Sequence, residues 1–463
     1  MRASLLAAVA ALAITAAGPA RADQQMPARL AGHAILPAAT FILPPSDAPR
    51  DFLVSGRFTG AGNLRTDAIG SIPGNTGPAY GNRNTGLSLP FIGQPVQGFS
   101  GIAPVRGAAG TWWSLSDNGF GAARNSSDAM LMLHRFRPDW QTGRIEMLET
   151  VFVSDPDRRL PFRIVTEGTE RRYLTGADLD LESIQPLADG SFMLGEEFGP
   201  FLVHVSREGR VIRLIETRLG DEVIQGPDNP AHALPATPAA TNRFRARRSG
   251  GYEGMAQTPD GNRLWALLEQ PLFNPGTADA EGRFIRMIEF DVPGGRWTGR
   301  HLRYRLEQGA TAIGDFNMID DRRALVIERD DGQGDPGRAC AQGQQPSEQN
   351  PCFVNPARFK RIYLIDLGAA DAEGYVRKIA HIDLMNIQDP ENLARQRGDL
   401  PANAPAGRLT FPFFTIENVA MVDAEHIIVG NDNNLPFSAG RHVFRADDNE
   451  FLLLSVPELL RAR

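Results

Sequence analysis

The chain has 463 residues and a formal net charge of -7, from 48 lysines and arginines against 55 aspartates and glutamates. This mild acidity argues against a nucleic-acid-binding protein, which needs a basic face, and 42% hydrophobic with 22% charged residues is typical of a globular chain rather than a disordered one. The 47 glycines and 34 prolines lack the repeat of collagen, so they indicate many turns between short strands.

Residues 1–22 have the pattern of a secretory signal peptide. A positive charge precedes an apolar run at 5–17, and the Ala-Arg-Ala at 20–22 supplies the small residues that a signal peptidase accepts. A membrane anchor is the alternative, but the run is shorter than the roughly 20 residues that a spanning helix needs. We expect cleavage near Ala22, a secreted or periplasmic protein that does not contact a membrane, and one mature domain over 23–463.

One pattern recurs five times along the mature chain. A polar residue opens a small apolar strand, a short turn follows, and a second apolar strand ends in acidic or amide residues. The recurring hairpins span 100–118, 182–197, 253–270, 317–330 and 417–434. Self-similar units of this size indicate a repeat architecture, in which neighbouring units stack to bury their apolar faces.

Two further strand-like runs follow most of the hairpins. These runs lie at 201–206, 211–217, 284–292, 301–307, 361–367, 376–384, 442–446 and 450–456. Each unit is therefore predicted to be a four-stranded antiparallel sheet, and repeated sheets of this kind are typical of a β-propeller. We predict an all-β, six-bladed propeller in which the segment before Ser100 supplies the remaining blade or its closing strand.

Two segments interrupt this period. Residues 70–98 are rich in Gly, Asn and Pro and are predicted to form a long loop, and residues 331–359 lengthen the fourth unit. The second segment contains Cys340 and Cys352, the two cysteines of the chain. In an exported protein, two nearby cysteines in a polar loop indicate a disulfide.

The polar ends of the hairpins are predicted to meet at one place. The start of strand one and the end of strand two lie at the same edge of a hairpin, and the first strand of each propeller blade lines the central channel. The predicted inner ring at the channel mouth consists of Ser100, Glu182, Glu253, Asn317 and Glu417, joined by Asp178 and Asp180. The predicted outer ring consists of Asp117, Glu196 or Glu197, Glu269, Glu328 and Asp432.

A ring of oxygen ligands predicts a metal site. Clustered carboxylates repel one another, and their pKa values rise unless cations bind. Oxygen ligands without His or Cys suit calcium or magnesium, and a mixed ring of variable reach suits calcium better. The predicted calcium ligands are Asp117, Asp180, Glu182, Glu253, Asn317, Glu417 and Asp432. The alternative interpretation is that these acids bond backbone amides at strand ends and tight turns.

The sequence resembles the phytase-like family of secreted proteins, also described as the esterase-like activity of phytase family. The similar stretches are GFSGI (98–102), SLSDNG (114–119), DLDLESI (178–184), GEEFGPFLV (195–203), GYEGMA (251–256), LVIERDD (325–331), IENVAMV (416–422) and NDNN (431–434). The resemblance implies a β-propeller and hydrolysis of phosphate or carboxylic esters. Residues that match its acidic motifs are Asp117, Glu182, Glu196, Glu197, Glu253, Glu328, Glu417 and Asp432. Propeller phytases also grip phosphate with Lys and Arg, and this chain has two lysines.

The sequence thus predicts an exported calcium-dependent hydrolase of phosphate monoesters or related small-molecule esters. Glu197 or Glu328 is the predicted general base, and Arg329 is predicted to hold the anionic group of the substrate. One alternative is a metal-dependent lactonase of the propeller type, in which Glu253, Asn317 and Glu417 hold the metal. Another is a non-catalytic binding propeller with structural calcium, whose long loops carry the contacts.

Overall fold

The computed structural model describes residues 24–232, 244–398, 400–402 and 404–463. The predicted signal peptide lies outside the described residues. Within them, no helix has both the length and the apolar character needed to cross a membrane.

The described strands form five four-stranded antiparallel units, called blades 1 to 5 in the chain order of their innermost strands, and the outermost strands of blades 5 and 1 also pair at Ile35 and Arg144. The innermost strands are Phe99–Pro104, Leu181–Pro186, Gly254–Gln257, Ala312–Met318 and Thr415–Met421. The second strands are Trp112–Ser116, Phe192–Glu196, Arg263–Leu267, Arg323–Arg329 and His426–Asp432. The third strands are Met132–Asp139, Phe201–Val205, Phe284–Asp291, Lys360–Asp366 and Asn449–Ser455. The outermost strands are Arg144–Phe152, Val211–Glu216, Arg296–Arg305, Arg377–Asp383 and Arg29–Leu36.

The blades form a closed ring. Each innermost strand contacts the innermost strand of the next blade, and that of blade 5 contacts that of blade 1. Blade 5 takes its outermost strand, Arg29–Leu36, from the start of the described chain, where it pairs antiparallel with Asn449–Ser455. The β-propeller prediction is therefore confirmed. The expected six blades are corrected to five within the described residues, because the segment before Ser100 supplies a closing strand and not a further blade.

Apolar faces of neighbouring blades pack against each other to form the core. Between blades 1 and 2, for example, the ring of Trp113 meets Phe192 edge-on, with centroids 4.9 Å apart. Leu115 and Leu194 belong to the same buried cluster. Alternate residues of each strand thus bury their side chains against the adjacent sheet, as expected for stacked sheets.

The predicted strand at 442–446 is wrong. This segment forms turns, and its backbone bonds to the segment that interrupts the repeat near the start of the chain. The guanidinium of Arg83 donates to the carbonyl of Val443 at 2.5 Å, and the amide of Ala446 donates to the carbonyl of Thr85 at 2.7 Å. Because its polar groups are satisfied in this way, the segment does not join a sheet.

The predicted long loop at 70–98 is likewise corrected, since it contains the antiparallel hairpin of Ile72–Asn75 with Asn84–Leu89. The short strands outside the blades are Gln24–Gln25, Phe41–Ile42, Val54–Ser55, Ile72–Asn75, Asn84–Leu89, Phe91–Ile92, Gln94–Pro95, Arg218–Leu219, Glu222–Val223, Ile387–Asp389 and Gly407–Leu409. The described α-helices are Leu393–Arg397 and Pro457–Arg461. Short 3-10 turns are Arg50–Leu53, Ala61–Asn63, Pro78–Tyr80, Ala123–Asn125, Pro336–Arg338 and Leu367–Ala369.

The disulfide prediction is confirmed. Cys340 and Cys352 are bonded, and they close a loop in the segment that separates the second and third strands of blade 4. The bond holds together a stretch with few backbone ladder bonds, next to the hairpin at 72–89.

Candidate metal and substrate site at the channel mouth

A cavity of about 370 Å³ opens at one mouth of the central channel. Its acidic lining comes from blades 1, 2, 3 and 5 and from the segment after the second strand of blade 4. The acidic residues that line it are Asp117, Asp180, Glu182, Glu197, Glu253, Glu269, Asp331, Glu417 and Asp432. Among the described lining residues, Arg329 is the only basic one. The structure thus brings most of the predicted site residues into one cavity.

Two of the inner acids occupy β-bulges. Leu181 pairs with Glu196 and Ser183 with Gly195, so Glu182 has no partner across the hairpin of blade 2. Glu417 has the same position in blade 5, between the paired residues Ile416 and Asn418. An extra residue in a strand bends it and changes the direction of a side chain, which is why bulges are frequent beside functional sites.

The acids differ in how their oxygens are satisfied. Asp180 accepts hydrogen bonds from the backbone amide and side-chain amide of Asn118 at 3.0 and 2.8 Å. Glu417 accepts from the hydroxyl of Ser100 at 2.7 Å. In contrast, Oε1 of Glu197 and Oε1 of Glu253 are buried without a hydrogen-bond partner. Buried acceptors normally have a hydrogen-bond partner, so these two unpartnered oxygens indicate a position where a cation or another ligand binds.

Glu196 and Glu197 are adjacent but have different surroundings. The Glu196 carboxylate accepts from the backbone amides of Asp180, Phe198 and Gly199 at 3.1, 2.8 and 2.8 Å. The alternative interpretation of the acids, as groups that bond backbone at a turn, is therefore correct for Glu196. Glu197 lines the cavity instead.

One part of the cavity has the donor set of a cation site. Asp180, Glu182 and Glu197 are all buried, and each offers a carboxylate oxygen within 4.8 Å of the others. These are hard oxygen donors of the kind that calcium prefers, and one of them carries an unpartnered oxygen. The residues present therefore fit a hard divalent cation.

Burial and mutual repulsion raise the pKa values of these acids. Burial, together with the nearby charge of Asp432, raises the pKa of Glu417 to about 8. Burial raises the pKa of Asp432 to about 6, and burial plus neighbouring carboxylates holds the pKa of Glu182 and Glu253 well above the ordinary range. A bound cation would remove this penalty, because it favours the ionised form.

Arg329 stands among these acids as a counter-charge. Its Nη2 donates to Oε1 of Glu269 at 2.7 Å, and its Nη1 lies 3.4 Å from Asp331. Burial would lower the pKa of Arg329, but the carboxylates of Glu269 and Glu253 outweigh it and raise that pKa. Nε of Arg329 is buried without a hydrogen-bond partner, so one donor of the guanidinium is left for a ligand.

Asn317 is not placed at the cavity, in contrast to the prediction. Its side chain lies deeper in the channel, where Nδ2 donates to the carbonyls of Ile102 and Val419 at 3.0 and 2.9 Å. Its Oδ1 accepts from Gln185 at 2.9 Å, and Gln185 also donates to the carbonyl of Met255. Directly, or through Gln185 for blade 3, these bonds join blades 1, 2, 3 and 5 to blade 4 inside the channel.

The strand register of blade 4 explains why the predicted position of Asn317 was wrong. Ile313 pairs with Glu328 and Phe316 with Val326, so the bulge comes at Gly314 and Asp315. The residue that corresponds to Glu182 and Glu417 therefore lies before Asn317. Asp315 itself is satisfied within the channel wall, where it accepts from the amide of Val419 at 2.8 Å.

Glu328 also lies away from the cavity. It is fully buried, accepts from the hydroxyl of Tyr304 at 2.6 Å and forms an ion pair with Lys378. The backbone amide of Glu307 donates to its second oxygen at 3.0 Å. The geometry therefore leaves Glu328 in a structural network and does not support its predicted role as a base.

Sequence reasoning missed two lining residues that belong to the same wall, Asp331 and Phe414. Asp331 ends the stretch ERDD that follows the second strand of blade 4, and this acidic ending was a usable signal. Phe414 precedes the innermost strand of blade 5 in an apolar run, FPFF, whose other members are buried. No feature of that run distinguishes the one ring that lines the cavity.

Comparison with known proteins gives one match of partial length. An uncharacterized secreted protein of Arthroderma benhamiae is 29% identical over 125 residues, which are 25% of this chain. The chain covers 24% of the length of that relative.

Solved structures give similarities of low score. The periplasmic gluconolactonase of Pseudomonas aeruginosa matches 83% of this chain and 99% of its own, at 14% identity and a TM-score of 0.31. A calcium-binding protein, regucalcin, from Agrobacterium tumefaciens matches 78% and 90%, at 11% identity and a TM-score of 0.35. Scores of this size establish no shared activity.

The family comparison covers much more of the chain. The family described as phytase-like, with esterase-like activity of phytase, matches residues 94–435, from just before the innermost strand of blade 1 to just after the second strand of blade 5. This range contains all the acids that line the cavity. The chain therefore belongs to the phytase-like family, esterase-like activity of phytase.

Proposed function

We propose that this protein is an exported calcium-dependent hydrolase that cleaves phosphate monoesters or related small-molecule esters at the channel mouth. The observation that carries the proposal is the pair of buried, unpartnered oxygens, Oε1 of Glu197 and Oε1 of Glu253, in one cavity with seven further acids. Such a cavity is stable at neutral pH only with bound cations or bound protons.

Asp180, Glu182 and Glu197 would hold the cation, since their oxygens lie within 4.8 Å of one another. When bound, calcium lowers the pKa of a coordinated water and neutralises charge on the oxygens of an ester. The chain's own groups supply the remaining functions. Arg329, the basic residue of the described lining, would bind the anionic end of the substrate through the Nε donor that has no partner within the protein.

Glu253 is the best-placed proton acceptor. Its Oε1 has no hydrogen-bond partner, and Glu253 lines the cavity outside the cation set, so its carboxylate can accept a proton once a bound cation favours the ionised form. We therefore move the role of base from Glu197 and Glu328 to Glu253. Glu197 belongs to the cation set, and Glu328 is bonded to Tyr304 and Lys378.

Export is part of the proposal. The Cys340–Cys352 disulfide is typical of proteins that fold in an oxidising compartment, and a relative of partial length is described as secreted. Small-molecule esters remain the proposed partners, and contact with nucleic acid or membrane is not expected.

The lactonase alternative lacks one of its three predicted metal ligands at the mouth. It requires Asn317 at the mouth with Glu253 and Glu417, whereas both ends of the Asn317 amide are used within the channel. The non-catalytic alternative makes the opposite prediction for turnover, and one experiment separates it from the hydrolase.

The test combines metal analysis with turnover. Purified protein stripped with a chelator is supplied with calcium, magnesium or neither, and is assayed on phosphate monoesters, carboxylic esters and lactones. The proposal expects bound calcium and calcium-dependent cleavage of phosphate or carboxylic esters, with both reduced in Glu197→Gln. Bound calcium without any turnover would support a binding propeller, and absence of calcium binding would overturn the proposal.

A further inference from the structure

The wall of the cavity formed by blade 4 and the approach to blade 5 differs from the rest. Among the described lining residues, Phe414 is the only aromatic one, and its ring is half-buried. It lies beside Arg329, whose guanidinium carbon is 5.6 Å from the ring centroid. A cation and an apolar face thus stand together on one side, while carboxylates dominate the rest of the lining.

The position of Phe414 is fixed by several contacts. Its backbone carbonyl accepts from the Nζ of Lys360 at 2.9 Å, and Lys360 is fully buried. Its ring meets the ring of Tyr80 edge-on, with centroids 5.7 Å apart. The Tyr80 hydroxyl in turn donates to the carbonyl of Asp331 at 2.7 Å, on the same wall. The backbone of Phe414 and one edge of its ring are thus fixed, and Tyr80 is itself anchored, so the ring is a positioned surface for a ligand.

The two segments that interrupt the repeat meet behind this wall. Gly81 follows Tyr80 with φ of 85°, and a Cβ built there would lie 3.0 Å from Val354 and 3.1 Å from Pro346. Those two residues belong to the disulfide-containing segment. The hairpin at 72–89 and the loop at 331–359 therefore pack on each other, and they support the ring from outside the propeller.

We propose that Phe414 is a specificity-determining residue, and that the site prefers esters in which a flat aromatic group is attached next to the anionic group. The inference rests on the proposed function, since it assigns the substrate class of the same cavity. With the anionic group at Arg329, an attached aromatic ring lies against Phe414, and paired rings gain more than their buried area. An aliphatic group of one carbon leaves this face uncovered.

The test measures binding rather than turnover. Phenylphosphonate and methylphosphonate carry the same anionic group and differ in the attached group, so their affinities are compared by calorimetry in buffer with calcium. We expect phenylphosphonate to bind about 10-fold more tightly to the unaltered protein. In Phe414→Leu the ratio of the phenylphosphonate affinity to the methylphosphonate affinity should fall close to one. In Phe414→Tyr this ratio should stay at about 10.

Phe413→Leu is the matched control, because Phe413 is buried in the core against Phe411 and does not line the cavity. Its ratio should stay that of the unaltered protein, and melting curves show that each variant is folded. Equal affinities of the unaltered protein for the two compounds, or an unchanged ratio in Phe414→Leu, would overturn the inference alone. Failure of both compounds to bind the calcium-loaded protein would overturn the phosphate-ester form of the proposed function and, with it, this inference.

Discussion

Arg329 and Glu269 form an ion pair across the boundary between blades 4 and 3, with Nη2 and Oε1 2.7 Å apart. Both side chains are more than nine-tenths buried. Arg329 ends the second strand of blade 4 and Glu269 lies two residues after the second strand of blade 3, the region in which the repeat places acids. Blade 4 alone has a cation there that reaches the cavity, and it shares that cation with the neighbouring blade.

Breaking this pair should destabilise the metal-free protein strongly. Arg329→Gln leaves the Glu269 carboxylate buried and unpaired, and loss of one partner of a buried pair costs roughly 3–5 kcal/mol of unfolding free energy. The double variant with Glu269→Gln should recover part of that loss. Urea unfolding in chelator measures the three variants.

Arg65→Gln is the control for this measurement, because the ion pairs of Arg65 with Asp51 and Asp67 are on the surface. It should unfold at the same urea concentration as the unaltered protein. A double variant less stable than either single variant would contradict the pairing.

The metal-free protein should lose stability as the pH rises. Burial raises the pKa of Glu417 from 4.5 to about 8 and that of Asp432 from 3.8 to about 6. The folded state therefore binds protons more tightly than the unfolded state, so the stabilisation is complete below the unfolded values and is lost as the pH rises through about 6 to 8. Melting temperatures in chelator between about pH 5 and pH 8 should decrease.

Calcium should abolish this decrease, because it stabilises the ionised carboxylates. The same melting series with excess calcium should be nearly flat over this range. A metal-free melting temperature that rises toward pH 8 would be incompatible with the raised pKa values.

Substitutions of two adjacent glutamates should affect protein stability and calcium binding separately. Glu196→Gln replaces an acceptor of three backbone amides, and we expect it to lower stability by about 1–3 kcal/mol while leaving calcium stoichiometry unchanged. Glu197→Gln removes a charge from the set with Asp180 and Glu182 and should weaken calcium binding at least about 10-fold. Calorimetric titration with calcium and urea unfolding distinguish the two effects. Weaker calcium binding in Glu196→Gln, with lower stability alone in Glu197→Gln, would contradict this assignment of roles.

Loss of the disulfide should lower stability without abolishing the fold. The bond joins residues 12 apart in sequence, and closure of a loop of this size contributes about 3 kcal/mol in the entropy model. Cys340→Ser with Cys352→Ser should therefore melt at a lower temperature, with the strand content retained by circular dichroism. Melting that matches the unaltered protein would show that the loop is held by other contacts.

The sequence was sufficient to predict the propeller and the convergence of Glu182, Glu253 and Glu417, because acids at repeated strand ends must meet when the blades form a ring. It was not sufficient to locate Asn317, since the bulge of blade 4 comes at Gly314 and Asp315, before Asn317, and the sequence does not mark the position of a bulge. It also left Glu196 and Glu197 equivalent, because only the turn that follows decides which of them bonds backbone.

The prediction of six blades was wrong for a different reason. The recurring pattern supplied five units, and the closing role of Arg29–Leu36 depends on pairing with a strand more than 400 residues away. Phe414 was unpredictable because its ring packs against Tyr80, which belongs to an insertion with no regular period. Local patterns therefore located the acids, while long-range packing decided which of them are free.

The Asn317 amide spans the axis of the ring and is bonded on both sides. The innermost strands of blades 1, 2 and 5 are therefore tied to that of blade 4 through a single side chain below the cavity.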